Sequence, residues 1–103
     1  MTVRLNVDPV AEVLYALREG EQYTTSREGD SGAVVFRVNA TGAIVGAILI
    51  GAVGAPRAIW EALAERSQLP DDVRAALDDW FDLSPGQRLA QPAVLRAPLL
   101  RNG

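Results

Sequence analysis

The sequence predicts an α+β fold: a small antiparallel β-sheet of about four strands, two α-helices packed on one face, and an extended tail. Three observations lead to this prediction. Apolar and polar residues alternate near the N-terminus, an uncharged apolar run with a clear turn follows, and two stretches with helical spacing of apolar residues come last. A chain of 103 residues can bury one modest core, so we expect a single domain over residues 1–83 and a tail over 84–103.

The N-terminal alternation predicts the first strand. Apolar residues occupy every second position from Val3 to Val7, and Asp8-Pro9 ends the pattern because proline cannot donate a hydrogen bond to a neighbouring strand. Further along, Tyr23-Thr24-Thr25 predicts a short edge strand. The polar residues from Ser26 to Gly32 predict a loop.

Residues 9–19 allow two interpretations. The apolar spacing from Val10 to Leu17 predicts a helix that begins at Pro9 and stops at Gly20. Alternatively, every second residue from Val13 to Leu17, with Tyr15 between them, forms one face of a strand. Periodicity alone favours the helix.

The run over residues 33–55 forms the centre of the predicted sheet. Residues 33–38 and 43–50 predict a hairpin around the turn Asn39-Ala40-Thr41-Gly42. Its return strand carries two apolar sets, Ile44, Ile48 and Ile50 on one face and Val45 and Leu49 on the other. Both faces therefore need cover, which the helices supply on one side. A second copy of the chain would supply it on the other side, so we expect a homodimer.

Two helices are predicted at about residues 56–68 and 70–83. Each begins at a proline, which suits the first helical position. The second carries a regular apolar stripe, formed by Val73, Ala76, Leu77, Trp80 and Phe81. Ser84-Pro85-Gly86 ends it, and the irregular sequence beyond predicts an extended or mobile tail.

Composition excludes several kinds of chemistry. The chain contains no cysteine, histidine or lysine, so thiol, imidazole and Schiff-base mechanisms are excluded, and no cofactor is expected. A net charge of −3 without a basic run argues against nucleic acid. The uncharged run between Arg37 and Arg57 could span a bilayer, but it contains four glycines and a turn. We therefore expect no membrane span and, without a signal-peptide pattern, a cytoplasmic protein.

Gly29-Asp30-Ser31-Gly32 matches the nucleophile loop of trypsin-like serine proteases. The serine of that mechanism needs a general base, and this chain offers neither histidine nor lysine for the role. We interpret the motif as a turn before a strand and predict no catalytic residue.

Five acidic residues in the second helix form the other candidate site, Asp71, Asp72, Asp78, Asp79 and Asp82. Two carboxylates on one helical turn can bind a hard cation weakly, but a specific site needs further oxygen ligands from a shaped loop. We interpret these residues as a solvated helix face and predict no metal site. A carboxylate-dependent or metal-dependent enzyme is the less favoured alternative.

The remaining interpretation is a non-catalytic protein-interaction or regulatory module. The alternative is a small-molecule binder with a pocket between sheet and helices, near Tyr15, Trp60 and Trp80. The candidate interaction or pocket residues are Tyr15, Ile44, Ile48, Ile50, Trp60 and Trp80. We expect a homodimer, with a second protein as a further possible partner.

Two blocks of sequence carry a family resemblance, Asp8-Pro9-Val10-Ala11-Glu12-Val13-Leu14-Tyr15 and Gly42-Ala43-Ile44-Val45-Gly46-Ala47-Ile48-Leu49. With Gly20 between them, residues 3–50 resemble the small bacterial domains catalogued as domain of unknown function family 2283. The resemblance implies a small antiparallel sheet and a strand over residues 12–18, so we adopt the strand there. The family's acidic residues near the end of the closing strand are replaced by apolar ones around Ala47 to Gly51. The family has no established activity to transfer.

Overall fold

The computed structural model describes residues 2–90 and 94–96, and its fold is α+β as expected. The strands are β1 (Val3–Asp8), β2 (Val13–Arg18), β3 (Thr25–Glu28), β4 (Val34–Val38), β5 (Ile44–Ile50) and β6 (Val94–Arg96). They form one sheet in the order β3-β4-β5-β2-β1-β6, with every neighbouring pair antiparallel. The helices are α1 (Arg57–Ala62), α2 (Asp71–Phe81) and α3 (Pro85–Ala90), with a 3-10 segment (Ala64–Gln68) after α1.

The sheet has six strands, two more than expected. β3 includes Ser26 to Glu28, which were predicted to be loop, because these residues pair with β4 along its free edge. β6 lies in the predicted tail and pairs with β1 at the opposite edge. The remainder of the predicted tail, residues 91–93 and 97–103, lies outside the described residues.

The strand interpretation of residues 12–18 is confirmed, and the helix interpretation is wrong. Asp8 Oδ1 accepts hydrogen bonds from the N–H groups of Val10 and Ala11, each at 3.1 Å, and so closes a turn directly after β1. Glu12 completes the turn with a positive φ of 58°. β2 then lies between β1 and β5, where pairing on both sides outweighs local helical spacing.

The hydrophobic core lies between one face of the sheet and the helices. β1 contributes Val3 and Leu5, β2 contributes Leu14, and β4 contributes Phe36, all of which are almost completely buried. α2 packs over β1 and β2. It contributes the apolar stripe predicted from its sequence, Val73, Ala76, Leu77, Trp80 and Phe81.

A β-bulge near the hairpin turn changes which residues share a face. Arg37 pairs with Gly46 and Val38 with Ile44, so Val45 is an extra residue in β5. The alternation therefore restarts, and Ile44 packs against the core, whereas Ile48 belongs to the opposite face. The prediction that Ile44 shares a face with Ile48 and Ile50 is wrong for this reason.

The predicted helix 56–68 is two shorter segments. The backbone at Leu63 is extended (φ −70°, ψ 125°), and its side chain packs against the core. The 3-10 segment that follows turns Glu65 inward, where it is 2% exposed. A continuous α-helix is thus interrupted by tertiary contacts of the two residues around the break.

Helix α3 occupies part of the predicted tail, because Arg88 anchors it. The buried Arg88 guanidinium donates to the carbonyl oxygens of Ala52, Val53, Ala55 and Phe81, at 2.6–3.2 Å. It also stacks over the ring of Phe81, 4.9 Å from its centroid. Burial lowers the pKa of Arg88 from its usual value. The anchor joins α3 to the end of α2 and to the loop after β5.

Candidate binding groove on the open sheet face

The helices cover one face of the sheet, and the other is called the open face here. By strand alternation, the open face consists of Arg4, Asn6, Asp8, Val13, Tyr15, Leu17, Ser26, Glu28, Val35, Arg37, Gly46, Ile48 and Ile50. Several of these are large apolar residues that stay partly exposed, with Tyr15 at 38% and Ile50 at 52%. The open face therefore presents apolar side chains that the helices do not cover.

A groove of about 480 Å³ crosses the open face. Tyr15, Leu17 and Ile48 form its apolar floor, and the loop after β2 forms one rim. The polar residues that border this floor are Arg4, Asn6, Arg18, Glu19, Glu21, Tyr23 and Arg37. A groove with an apolar floor and a few polar groups has the composition of a small-molecule site.

Strand register aligns two arginines across the groove. Arg37 is opposite Gly46, Gly46 is opposite Leu17, and Leu17 is opposite Arg4. The two arginines are three strand spacings apart, or about 14 Å between their backbones. Gly46 and Leu17 lie between the two arginines, so the row is cationic at both ends and apolar in the middle.

Arg37 is held in place before any ligand arrives. Its Nη1 donates to Ser26 Oγ at 2.7 Å, and its guanidinium stacks over the Tyr23 ring, 4.1 Å from the centroid. One hydrogen bond leaves further guanidinium N–H groups for an acceptor. Neither Arg37 nor Arg4 forms an ion pair with a carboxylate within residues 2–90.

The acidic residues at the rim have other contacts. Glu21 accepts a hydrogen bond from Asn39 Nδ2 at 3.3 Å. Its charge, after that of Asp72, also helps to raise the pKa of Arg18. Negative charge is therefore present at one rim, beside groups that already interact with it.

The structure brings only some of the predicted site residues together. Tyr15 and Ile48 are directly opposite each other on β2 and β5, inside the groove. Ile50 is on the same face, one row further from the arginines. The others lie elsewhere: Ile44 packs against the core, and Trp60 and Trp80 are buried under the helices.

The residues named for the alternative interpretation, a pocket between sheet and helices, do not line one cavity. Trp60 stacks on Phe81 with ring centroids 5.1 Å apart, and Trp80 meets Phe81 edge-on at 5.0 Å. The cavity near Trp60 measures only about 40 Å³, and Tyr15 lies on the other side of the sheet. Aromatic packing surrounds both tryptophans instead.

Ser31 forms an internal contact with Glu65. The Ser31 N–H donates to Glu65 Oε2 at 2.9 Å, and the Ser31 hydroxyl donates to the same oxygen. Burial raises the pKa of Glu65, but these hydrogen bonds outweigh burial and bring it below its usual value. A Cβ at Gly29 would overlap the Glu65 side chain, so the loop needs glycine there.

Arginines neutralise most of the acidic face of α2, which was expected to be simply solvated. The pairs are Asp71 with Arg74, Asp72 with Arg18, Asp78 with Arg66, and Asp82 with Arg57. Asp78 also accepts a hydrogen bond from Trp60 Nε1 at 2.6 Å. Within the described residues, no three acidic side chains converge as a metal-binding group.

Three groove residues were not predicted from the sequence, namely Arg4, Leu17 and Arg37. Arg4 and Leu17 could have been found, since each lies on the alternate face of a predicted strand. Arg37 and Gly46 become opposite only through the bulge, for which an isolated glycine inside a predicted strand was the available signal. A Cβ at Gly46 would overlap the carbonyl oxygen of Ala16, so glycine permits this strand pairing.

Comparison with known proteins yields no relative: no family model, curated protein or solved structure matches the chain. The resemblance of residues 3–50 to family 2283 stays a prediction. In the part of the chain that the structure describes, none of the helices has the length and apolar character needed to cross a bilayer.

Proposed function

We propose that the chain is a non-catalytic recognition module and that the open face of its sheet is the working surface. The observation that carries the proposal is the one-sided cover of the sheet. The helices bury the face that contains Leu14 and Phe36, whereas the opposite face keeps Tyr15 and Ile50 exposed beside a groove of about 480 Å³. Contiguous exposed apolar surface on a small domain is typical of an interaction site.

The contacts of Ser31 support recognition over hydrolysis. A serine nucleophile needs a strong base, and the lowered pKa of Glu65 makes its carboxylate a weak one. The Ser31 N–H, which could donate to an oxyanion, already donates to Glu65. The loop is therefore a structural connection between the sheet and the 3-10 segment.

A second copy of the chain is the second candidate occupant of the open face. Val13 and Ile50 are directly opposite each other at the apolar end of the face, away from the row of arginines. Ile50 is 52% exposed there, and pairing with the same surface of another copy would bury it. Sedimentation velocity from low micromolar to millimolar concentration tests this homodimer, and a purely monomeric chain over that range would contradict it.

We propose the cytoplasm as the compartment of this module. Small secreted domains commonly depend on disulfides, and this chain contains no cysteine.

The recognition function is tested by mapping where ligands bind. ¹⁵N-labelled protein is titrated with a fragment set of carboxylates, amines and neutral amides, and ¹H–¹⁵N spectra are recorded. We expect shifts to cluster at residues 15–21 and 46–48, which border the groove. Shifts confined to the helical layer around Val73 and Leu77 would contradict the proposal. So would a monomeric protein that binds nothing from the set.

A further inference from the structure

The charges of the groove specify its ligand more narrowly than its shape does. Four arginines outside the groove row form ion pairs with carboxylates, namely Arg18, Arg57, Arg66 and Arg74. Arg4 and Arg37 have no such partner within residues 2–90, and both border the groove. Positive charge on this face therefore remains available to an anion from outside the chain.

We propose that the groove binds a small amphipathic monocarboxylate, with its anionic head on Arg37 and its apolar body over Leu17 and Ile48. This inference rests on the proposed recognition function and names the ligand class for the same surface. Arg37 is the head group's partner because Ser26 and Tyr23 fix its guanidinium. Little side-chain entropy is then lost on binding.

The apolar body follows from the residues that continue the groove away from Arg37. β5 and β2 lie between Arg37 and Arg4, and they present Leu17, Ile48 and Tyr15 to the groove. A groove of about 480 Å³ fits an apolar or aromatic group with one head group.

The acidic rim favours a ligand with a single negative charge. Glu21 borders the same groove, and its carboxylate would repel the second negative charge of a phosphate ester or a dicarboxylate that extended toward it. A monocarboxylate placed on Arg37 keeps its charge at the end of the row that is far from Arg4. Arg4, about 14 Å away, adds longer-range attraction that salt will screen.

Three matched probes separate charge from shape: 4-phenylbutyrate, its neutral analogue 4-phenylbutanamide and its cationic analogue 4-phenylbutylamine. Each is titrated into the full chain by calorimetry and by ¹H–¹⁵N spectra at low and high salt. We expect 4-phenylbutyrate to bind at the groove about tenfold more tightly than the amide, because charge-assisted hydrogen bonds exceed neutral ones. Added salt should weaken binding of the carboxylate and leave the amide unchanged.

The matched variants are Arg37→Gln, Arg4→Gln and the control Arg27→Gln. Arg27 is an exposed arginine on the edge strand that stacks over Phe36 and does not border the groove. All three variants remove one positive charge. We expect Arg37→Gln to weaken 4-phenylbutyrate about tenfold, Arg4→Gln to weaken it less, and Arg27→Gln to leave it unchanged.

The outcomes separate the ligand class from the recognition function. Equal binding of the amide and the carboxylate at the groove would overturn the proposal of a monocarboxylate ligand, and so would tighter binding of the amine. Either result would leave the proposed recognition function in place. An equal loss in Arg37→Gln and Arg27→Gln would also overturn the monocarboxylate proposal, because the effect would then be general charge. If none of the three probes binds and the fragment set shifts no groove resonance in a monomeric protein, the recognition function itself fails.

Discussion

At the scale of single residues, the ionised Glu65 carboxylate is a local source of stability. Its pKa is below that of a glutamate in the unfolded chain, since the Ser31 hydrogen bonds favour the charged form. Its contribution is therefore complete above the usual glutamate pKa of about 4.3, and it is lost as the pH falls through the lower pKa of the folded chain.

We predict that Glu65→Gln lowers the free energy of unfolding by about 1–3 kcal/mol at pH 7. Urea unfolding of both proteins is followed from pH 7 down to pH 3. The difference between their free energies of unfolding should shrink at acid pH, because only the protein that keeps Glu65 loses a carboxylate charge there. A difference independent of pH would mean that Glu65 acts by packing alone.

The sequence predicted part of this residue-scale chemistry. It identified the turn at Ser31 and the lack of a histidine or lysine to act as the general base. It did not predict the partner, because Glu65 is 34 positions away and was placed in a regular helix. The ion pairs of the acidic residues in and beside α2 were not predicted for the same reason. The arginines that neutralise Asp72 and Asp82 come from distant parts of the chain.

At the scale of elements, the pairing of β5 with β2 requires Gly46. An added Cβ would approach backbone atoms of Ala16 and Leu17, which cannot move without separating the strands. We predict that Gly46→Ala lowers stability by about 1–3 kcal/mol in denaturant unfolding. Gly54→Ala is the control, since the nearest atom to a Cβ there is 3.9 Å away. Equal effects of the two substitutions would show that strand contact is not the cause.

The position of helix α3 depends on the hydrogen bonds of Arg88. We predict that Arg88→Met lowers the free energy of unfolding by about 3 kcal/mol or more, because several buried carbonyls lose their donor. Arg88→Lys should recover only part of the loss, since an ammonium lacks the planar fork. Arg74→Met is the comparison. We expect it to lower the free energy of unfolding by only about 0–1 kcal/mol, because the partner of Arg74, Asp71, is almost fully exposed. A similar loss in both methionine variants would contradict the anchor.

The elements divide into those with local signals and those without. The hairpin turn is local: Asn39 Oδ1 accepts from the N–H groups of Thr41 and Ala43, and Gly42 adopts a φ of 89°. α2 is likewise local, with a regular stripe after Pro70. The bulge, the break at Leu63 and helix α3 arise from tertiary contacts, which single-sequence periodicity does not encode.

At the scale of the whole molecule, the sheet is covered on one face and open on the other. Consecutive residues of β5 show this division: Leu49 is 2% exposed in the core, and Ile48 is part of the groove. The α+β class and the helical layer were predicted correctly. The alternative of a ligand pocket beneath that layer does not match the structure, because Trp60 and Trp80 are part of the core.

The most direct test of the account is the ¹H–¹⁵N spectrum of Ile48→Arg, recorded with and without the fragment set. Because the open face is not part of the core, we predict a dispersed spectrum like that of the native protein, together with loss of the fragment shifts at the groove. Leu49→Arg should unfold the chain, since it places an unpaired charge in the core. A collapsed Ile48→Arg spectrum, or groove shifts that persist in the variant, would contradict the open face as the recognition surface.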